Sequence, residues 1–137
     1  MKTKKCIKYT LLASFILLLL VYLNGCARTK QDMLNAGMKQ LTTQELKSLF
    51  SKKQTAKVFY VKKYKWYTFN YLPDGSIVRT RHGRVRDYVY FIDNDRFCMK
   101  RRPTSHKKYC SAWFEISQNQ YQSYLSDGSM EAKLNFQ

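Results

Sequence analysis

The stretch Ser76-Ile77-Val78-Arg79-Thr80-Arg81-His82-Gly83-Arg84-Val85-Arg86-Asp87-Tyr88-Val89-Tyr90-Phe91-Ile92-Asp93 decides the fold. Two runs rich in β-branched and aromatic residues flank His82-Gly83, a dipeptide suited to a two-residue hairpin turn. In that register Arg81 faces Arg84 and Arg79 faces Arg86. Thr80 then faces Val85, and Val78 faces Asp87. Side chains alternate along a strand, so the four arginines project from one face. Like charges directly opposed are destabilising. An arginine face of this kind suits a polyanion, because the guanidinium offers a planar fork to phosphate or carboxylate.

Outward from this hairpin the same pattern repeats. Upstream, Ala56 to Lys62 and Lys65 to Leu72 read as strands, and Pro73-Asp74-Gly75-Ser76 reads as a turn. Downstream, Asp93-Asn94-Asp95 turns the chain into Arg96 to Arg102. Pro103-Thr104-Ser105-His106-Lys107 leads into Lys108 to Ser117. Gln118-Asn119 leads into Gln120 to Leu125, and Asp127-Gly128 leads into Ser129 to Phe136. The last run alternates Met130, Ala132, Leu134 and Phe136 against Glu131, Lys133 and Asn135. Leu41 to about Ser51 is the clearest helix. Thr42 with Glu45 makes a capping box, and Leu41 with Leu46 a hydrophobic staple. Leu46, Leu49 and Phe50 form an apolar stripe. The expected fold is α+β or mainly β. One N-terminal capped helix packs on an antiparallel sheet, or a small barrel, of about six to eight short strands.

The chain has 137 residues, with 25 Lys and Arg against 9 Asp and Glu and a formal charge of +16. That length allows one domain or two. The 11 Tyr and 8 Phe argue against disorder. Residues 1–25 read as a targeting segment, with Lys2, Lys4, Lys5 and Lys8 ahead of an apolar run from Leu11 to Val21. With its flanks that run covers about 15 residues, short of the roughly 20 of a bilayer crossing. An uncleaved anchor is the alternative. Leu23-Asn24-Gly25-Cys26 resembles the bacterial lipobox, in which the Cys thiol accepts a diacylglycerol. The resemblance implies cleavage before Cys26 and acylation of Cys26. It also implies lipid anchorage in the cell envelope. By composition 26–40 reads as a polar tether with a weak helical turn near Asp32 to Met38, ahead of the basic domain over 41–137. Ala27 after the Cys favours the periplasmic side of the outer membrane over the inner membrane. Several acyl chains anchor stably where one binds marginally.

Cys98 and Cys110 are then an even pair in an oxidising compartment and read as a disulfide, free thiols being the alternative. No Cys-x-x-Cys or His-x-x-x-His spacing supports a metal site.

The order of motifs is similar to that in a family of small secreted or lipoprotein bacterial domains of unknown function. Those motifs are the Leu41-to-Leu49 helix, Pro73-Asp74-Gly75, Asp95-Arg96-Phe97-Cys98, Cys110 and Asp127-Gly128. The likeness covers most of the chain after Cys26. It implies a scaffold and no catalytic residues.

Chemistry at neutral pH needs a tuned acid, base or nucleophile. His82 and His106 stand in expected turns, and no phosphate loop or nucleophile elbow occurs. The expectation is therefore a non-catalytic protein without a cofactor. Without Lys2, Lys4, Lys5 and Lys8 the charge of +16 falls to +12. Beside Arg79, Arg81, Arg84 and Arg86 stand Lys100-Arg101-Arg102 and Lys62-Lys63-Lys65. The candidate anion-binding residues are Arg79, Arg81, Arg84, Arg86, Lys100, Arg101 and Arg102. Outside the cytoplasm the expected ligand is an anionic envelope glycan or lipid headgroup, and no nucleic acid is expected. The alternative is a structural or docking subunit of an envelope or secretion assembly, with a protein partner.

Overall fold

The computed structural model describes residues 28–102 and 107–137. The expected signal peptide, Cys26 and His106 lie outside the described residues. Eight strands follow one another: β1 (Gln54–Tyr60), β2 (Lys65–Tyr71), β3 (Ser76–Arg81), β4 (Arg84–Asp93), β5 (Arg96–Arg101), β6 (Tyr109–Ser117), β7 (Gln120–Tyr124) and β8 (Met130–Phe136). Each pairs antiparallel with the next, and the sheet closes as a barrel through β1 and β8. The seam runs from Ala56 opposite Phe136 to Tyr60 opposite Ala132. This is an up-and-down barrel, in which every described strand has a partner on both sides.

The turns explain the order. His82 (φ 45°) and Gly83 (φ 73°) both lie in the left-handed region. A two-residue turn needs that if its twist is to match the strands. The resulting register places Arg81 opposite Arg84 and Arg79 opposite Arg86, as the hairpin reading requires. At two other corners the device is Asp-Gly-Ser. Asp74 accepts bonds from the Ser76 amide (2.8 Å) and hydroxyl (2.6 Å). Asp127 accepts the same pair from Ser129 (2.9 and 2.6 Å).

The barrel has two unlike ends. At the lower end lie the turns 72–75, 94–95 and 118–119; at the upper end lie the turns around 61–64, 82–83 and 125–129. The lower lumen is filled with aromatic rings. Phe50 is 3% exposed, and its ring centroid lies 4.9 Å from Tyr71, 5.1 Å from Phe97 and 5.6 Å from Trp113. Phe50 is the C-cap of helix α2 (Thr43–Leu49), whose N-cap Thr42 and Glu45 form the capping box. The first turn of this helix is bonded to the β4–β5 corner. Thr43 donates its amide to the Asp95 carboxylate, and the Asp95 amide donates to the Thr43 hydroxyl at 3.1 Å.

Two local features differ from the sequence reading. Residues 28–40 hold more than a polar tether with a weak helical turn. Thr29 and Asp32 form a second capping box on helix α1 (Lys30–Asn35), which buries Met33. Met33 joins Ala112, Phe114, Tyr124 and Met130 in a cluster on the outer wall. The packed body therefore starts near Thr29 and not at Leu41. A helix of six residues with one buried side chain leaves little periodicity to read.

The second difference is in β8. Ser123 pairs with Ala132 and Tyr124 with Met130, which leaves Glu131 as an extra, unpaired residue at a bulge. The clean alternation breaks there. Met130 faces outward under α1, whereas Ala132, Leu134 and Phe136 belong to the lumen core. The arginine face keeps its expected pairing, and its neighbours show which side of the sheet it is. Ile77 and Tyr88 share it and are buried, so that face is the lumen side of the barrel.

Cys98 and Cys110 are disulfide-bonded and stand directly opposite across β5 and β6. The bridge pins β5 to β6.

Candidate functional site

The upper end of the lumen is an open cavity of about 600 Å³. Its wall is supplied by Arg79 and Arg86 from the β3–β4 hairpin, Tyr88 from β4, and Met99 and Arg101 from β5. Tyr109 of β6, Tyr60 of β1 and the Lys62-Lys63 turn complete it, with Glu131 of β8. Below Glu131 only a void of about 20 Å³ separates the packed side chains. A ligand entering from the mouth therefore stops at Glu131.

Alternation within each strand sets which cations converge. Arg79 and Arg86 are two residues beyond Ile77 and before Tyr88, so they continue the lumen-facing row above the hydrophobic core. Arg101 stands opposite Tyr88 and continues the row of Phe97 and Met99. The tyrosines hold the guanidinium groups. Arg79 lies 4.7 Å from the centre of the Tyr67 ring and 5.0 Å from that of Tyr88. Arg81 lies 5.4 Å from the centre of Tyr67. Such stacking positions a cation without neutralising it.

The bulge at Glu131 turns a residue of the polar series inward, a common use of bulges beside sites. Its carboxylate accepts from the Ser123 hydroxyl at 3.2 Å. Burial pushes its pKa up; the hydroxyls of Ser111 and Ser123, then Lys63 and Lys62, oppose that shift. Burial likewise pushes the Tyr60 phenol up, with the Glu131 charge adding to the effect. Both groups favour their neutral forms more than they would in water, and the cationic wall is the dominant charge.

The seven candidate residues do not all meet. Arg79, Arg86 and Arg101 share the cavity. Arg81 lines an adjoining surface groove of about 720 Å³ with Tyr64, Trp66, Tyr67 and His82. Arg84 faces Arg81 at the hairpin tip. Lys100 pairs with Val89, one step out of phase with the lumen row, and so belongs to the outer wall. Arg102 follows the end of β5, its amide donating to the Asp87 carbonyl at 3.0 Å. The groove is the larger hollow, but it is shallower and lies between two turns. The mouth cavity has the convergent charge.

The sequence reading missed Glu131, Tyr60, Tyr88 and Tyr109 as site residues. For the tyrosines a signal existed, since each is in phase with a lumen residue of its own strand. For Glu131 none existed, because a bulge without glycine or proline leaves no mark. No protein-family model, no curated protein and no solved structure matches this chain.

Proposed function

We propose that this protein is a non-catalytic envelope lipoprotein whose barrel mouth binds an anionic envelope component, a glycan or a lipid headgroup. Cys26 carries the lipid, and the periplasmic side of the outer membrane is the favoured location. The likeness to small secreted bacterial domains belongs to the same proposal and concerns the scaffold. Helix α2 closes the lower end of the barrel, with Phe50 as its plug, so that ligand enters from the mouth. The observation that carries the reading is the convergence of Arg79, Arg86 and Arg101 with Lys62 and Lys63 on one cavity with a packed floor. Two cross-strand arginine pairs work against barrel stability, and an anion across them removes that cost.

Replacement of Arg79, Arg86 and Arg101 by Gln tests the proposal. Each lost charge-assisted bond weakens binding by about 1.5 kcal/mol or more, roughly tenfold. Lipopolysaccharide, phosphatidylglycerol vesicles and an acidic cell-wall polymer serve as probes, with circular dichroism to check the fold. A loss of binding to one probe supports the reading. Unchanged binding to all three rejects it.

A further inference from the structure

The first described residues reach the barrel at its mouth. The Lys30 amide donates to the Gly128 carbonyl at 2.9 Å, within the β7–β8 turn of the upper end. The same turn carries Asp127, whose carboxylate lies 3.8 Å from the Lys62 ammonium. Cys26 precedes Thr29 by three residues, and three residues span at most about 11 Å. A strand of seven residues is longer than that, about 23 Å. An anchor on Cys26 thus holds the mouth at the bilayer and cannot reach past the barrel to hold its far end there.

Two further observations agree with that geometry. Among the described residues the four most exposed large apolar side chains are Tyr64 (82%), Trp66 (59%), Val85 (59%) and Tyr109 (54%), and all four start from the upper end. Amphipathic rings of this kind favour the headgroup level of a membrane. Charge adds to this. Lys62, Lys63, Arg79, Arg84, Arg86 and Arg101 gather at the mouth and outnumber Asp127 and Glu131 there; the lower end is mixed, with Asp74, Asp95 and Glu45 beside Lys47, Lys52, Lys53 and Arg96. Over about 8 Å, the screening length at physiological salt, such a ring attracts anionic headgroups.

We infer that the barrel stands mouth-down on the bilayer that holds its own anchor, and that its cavity takes the phosphate of an anionic lipid headgroup from that bilayer. The inference rests on the lipoprotein reading and adds orientation and ligand source. Headgroup phosphate meets Arg79, Arg86 and Arg101 in the cavity. Tyr64, Trp66 and Val85 lie in the interfacial layer around it.

The test uses the full acylated chain, with acylation of Cys26 established by intact mass. It is reconstituted in phosphatidylcholine vesicles with and without phosphatidylglycerol, the acyl chains being brominated to quench indole emission. A reporter is placed at the mouth by Tyr64→Trp and at the far end by Gln118→Trp, each in a Trp66→Phe background. Trp113, buried in the barrel, is the internal reference. The expected result is loss of emission from the mouth reporter, deeper with phosphatidylglycerol, and none from the far-end reporter. The Arg79→Gln/Arg86→Gln/Arg101→Gln variant removes the phosphatidylglycerol-dependent part. Quenching of the far-end reporter alone, or of neither reporter in an acylated chain, overturns the orientation and leaves the anchor intact. A processed chain with an unmodified Cys26 overturns the anchor and the orientation together. Release of the quenching by millimolar inorganic phosphate would assign the cavity to a free anion and overturn the lipid source.

Discussion

Glu131 is the residue on which the cavity turns, and its titration has a defined sign. Burial holds its carboxyl above the ordinary 4.5. Between 4.5 and the raised value the folded chain binds more protons than the unfolded chain. This contribution to stability is complete below 4.5 and is lost as pH rises through the raised value. Glu131→Gln removes the dependence. The difference in urea midpoint between variant and parent, followed from about pH 4 to pH 7, should grow in the variant's favour with rising pH. At a pH above the raised value the variant should also bind the anionic probe more tightly, because a negative charge leaves the cavity floor. His82 offers a second check. Its φ of 45° is in the left-handed region, where a two-residue turn before glycine favours asparagine most. His82→Asn should raise stability by about 0.5 to 1 kcal/mol, read by thermal unfolding. The sequence disclosed His82 and hid Glu131 for one reason. A tight turn is written in its own two residues, whereas a bulge is decided by what the neighbouring strand does.

Helix α2 shows what an element contributes beyond its own hydrogen bonds. Its capping box is complete, and Lys39 adds a 2.7 Å bond that, with the Thr42 amide and hydroxyl, lowers the Glu45 pKa to about 2. That contribution is present above the ordinary carboxylate value and is lost as pH falls toward 2. Seven residues are too few for a stable helix alone, and burial of Phe50 stabilises the element more than its caps do. Truncation of Phe50 to Ala should destabilise the protein by about 3 to 5 kcal/mol, measured by denaturant unfolding, because five aromatic neighbours lose their common partner. The apolar stripe of Leu46, Leu49 and Phe50 was legible because helical spacing brings it together. The burial of Met33 in α1 was not. One buried side chain in a six-residue helix carries no period, although Thr29 and Asp32 carried the same capping signal as Thr42 and Glu45.

For the molecule as a whole, strand number and order followed from turn chemistry at 74–76, 82–83, 94–95 and 127–129. Closure did not. The pairing of β1 with β8 joins segments at opposite ends of the domain, and neither strand bears a local sign of the other. Lumen and exterior were likewise indistinguishable by alternation alone, so the arginines could be put on one face but not on a named side of the sheet. The bridge between Cys98 and Cys110 contributes about 3 kcal/mol in the chain-entropy view. Its reduction should lower the melting temperature by about 10 °C or more for a body of this size, read by calorimetry with and without reductant. The seam has one more consequence, for the timing of folding. Residue 56 meets residue 136, so a nascent chain cannot shut its barrel until its last strand is synthesised. Contacts that span a whole chain form slowly. A barrel built this way stays open until β8 has left the ribosome, and its seam is the last part of it to form.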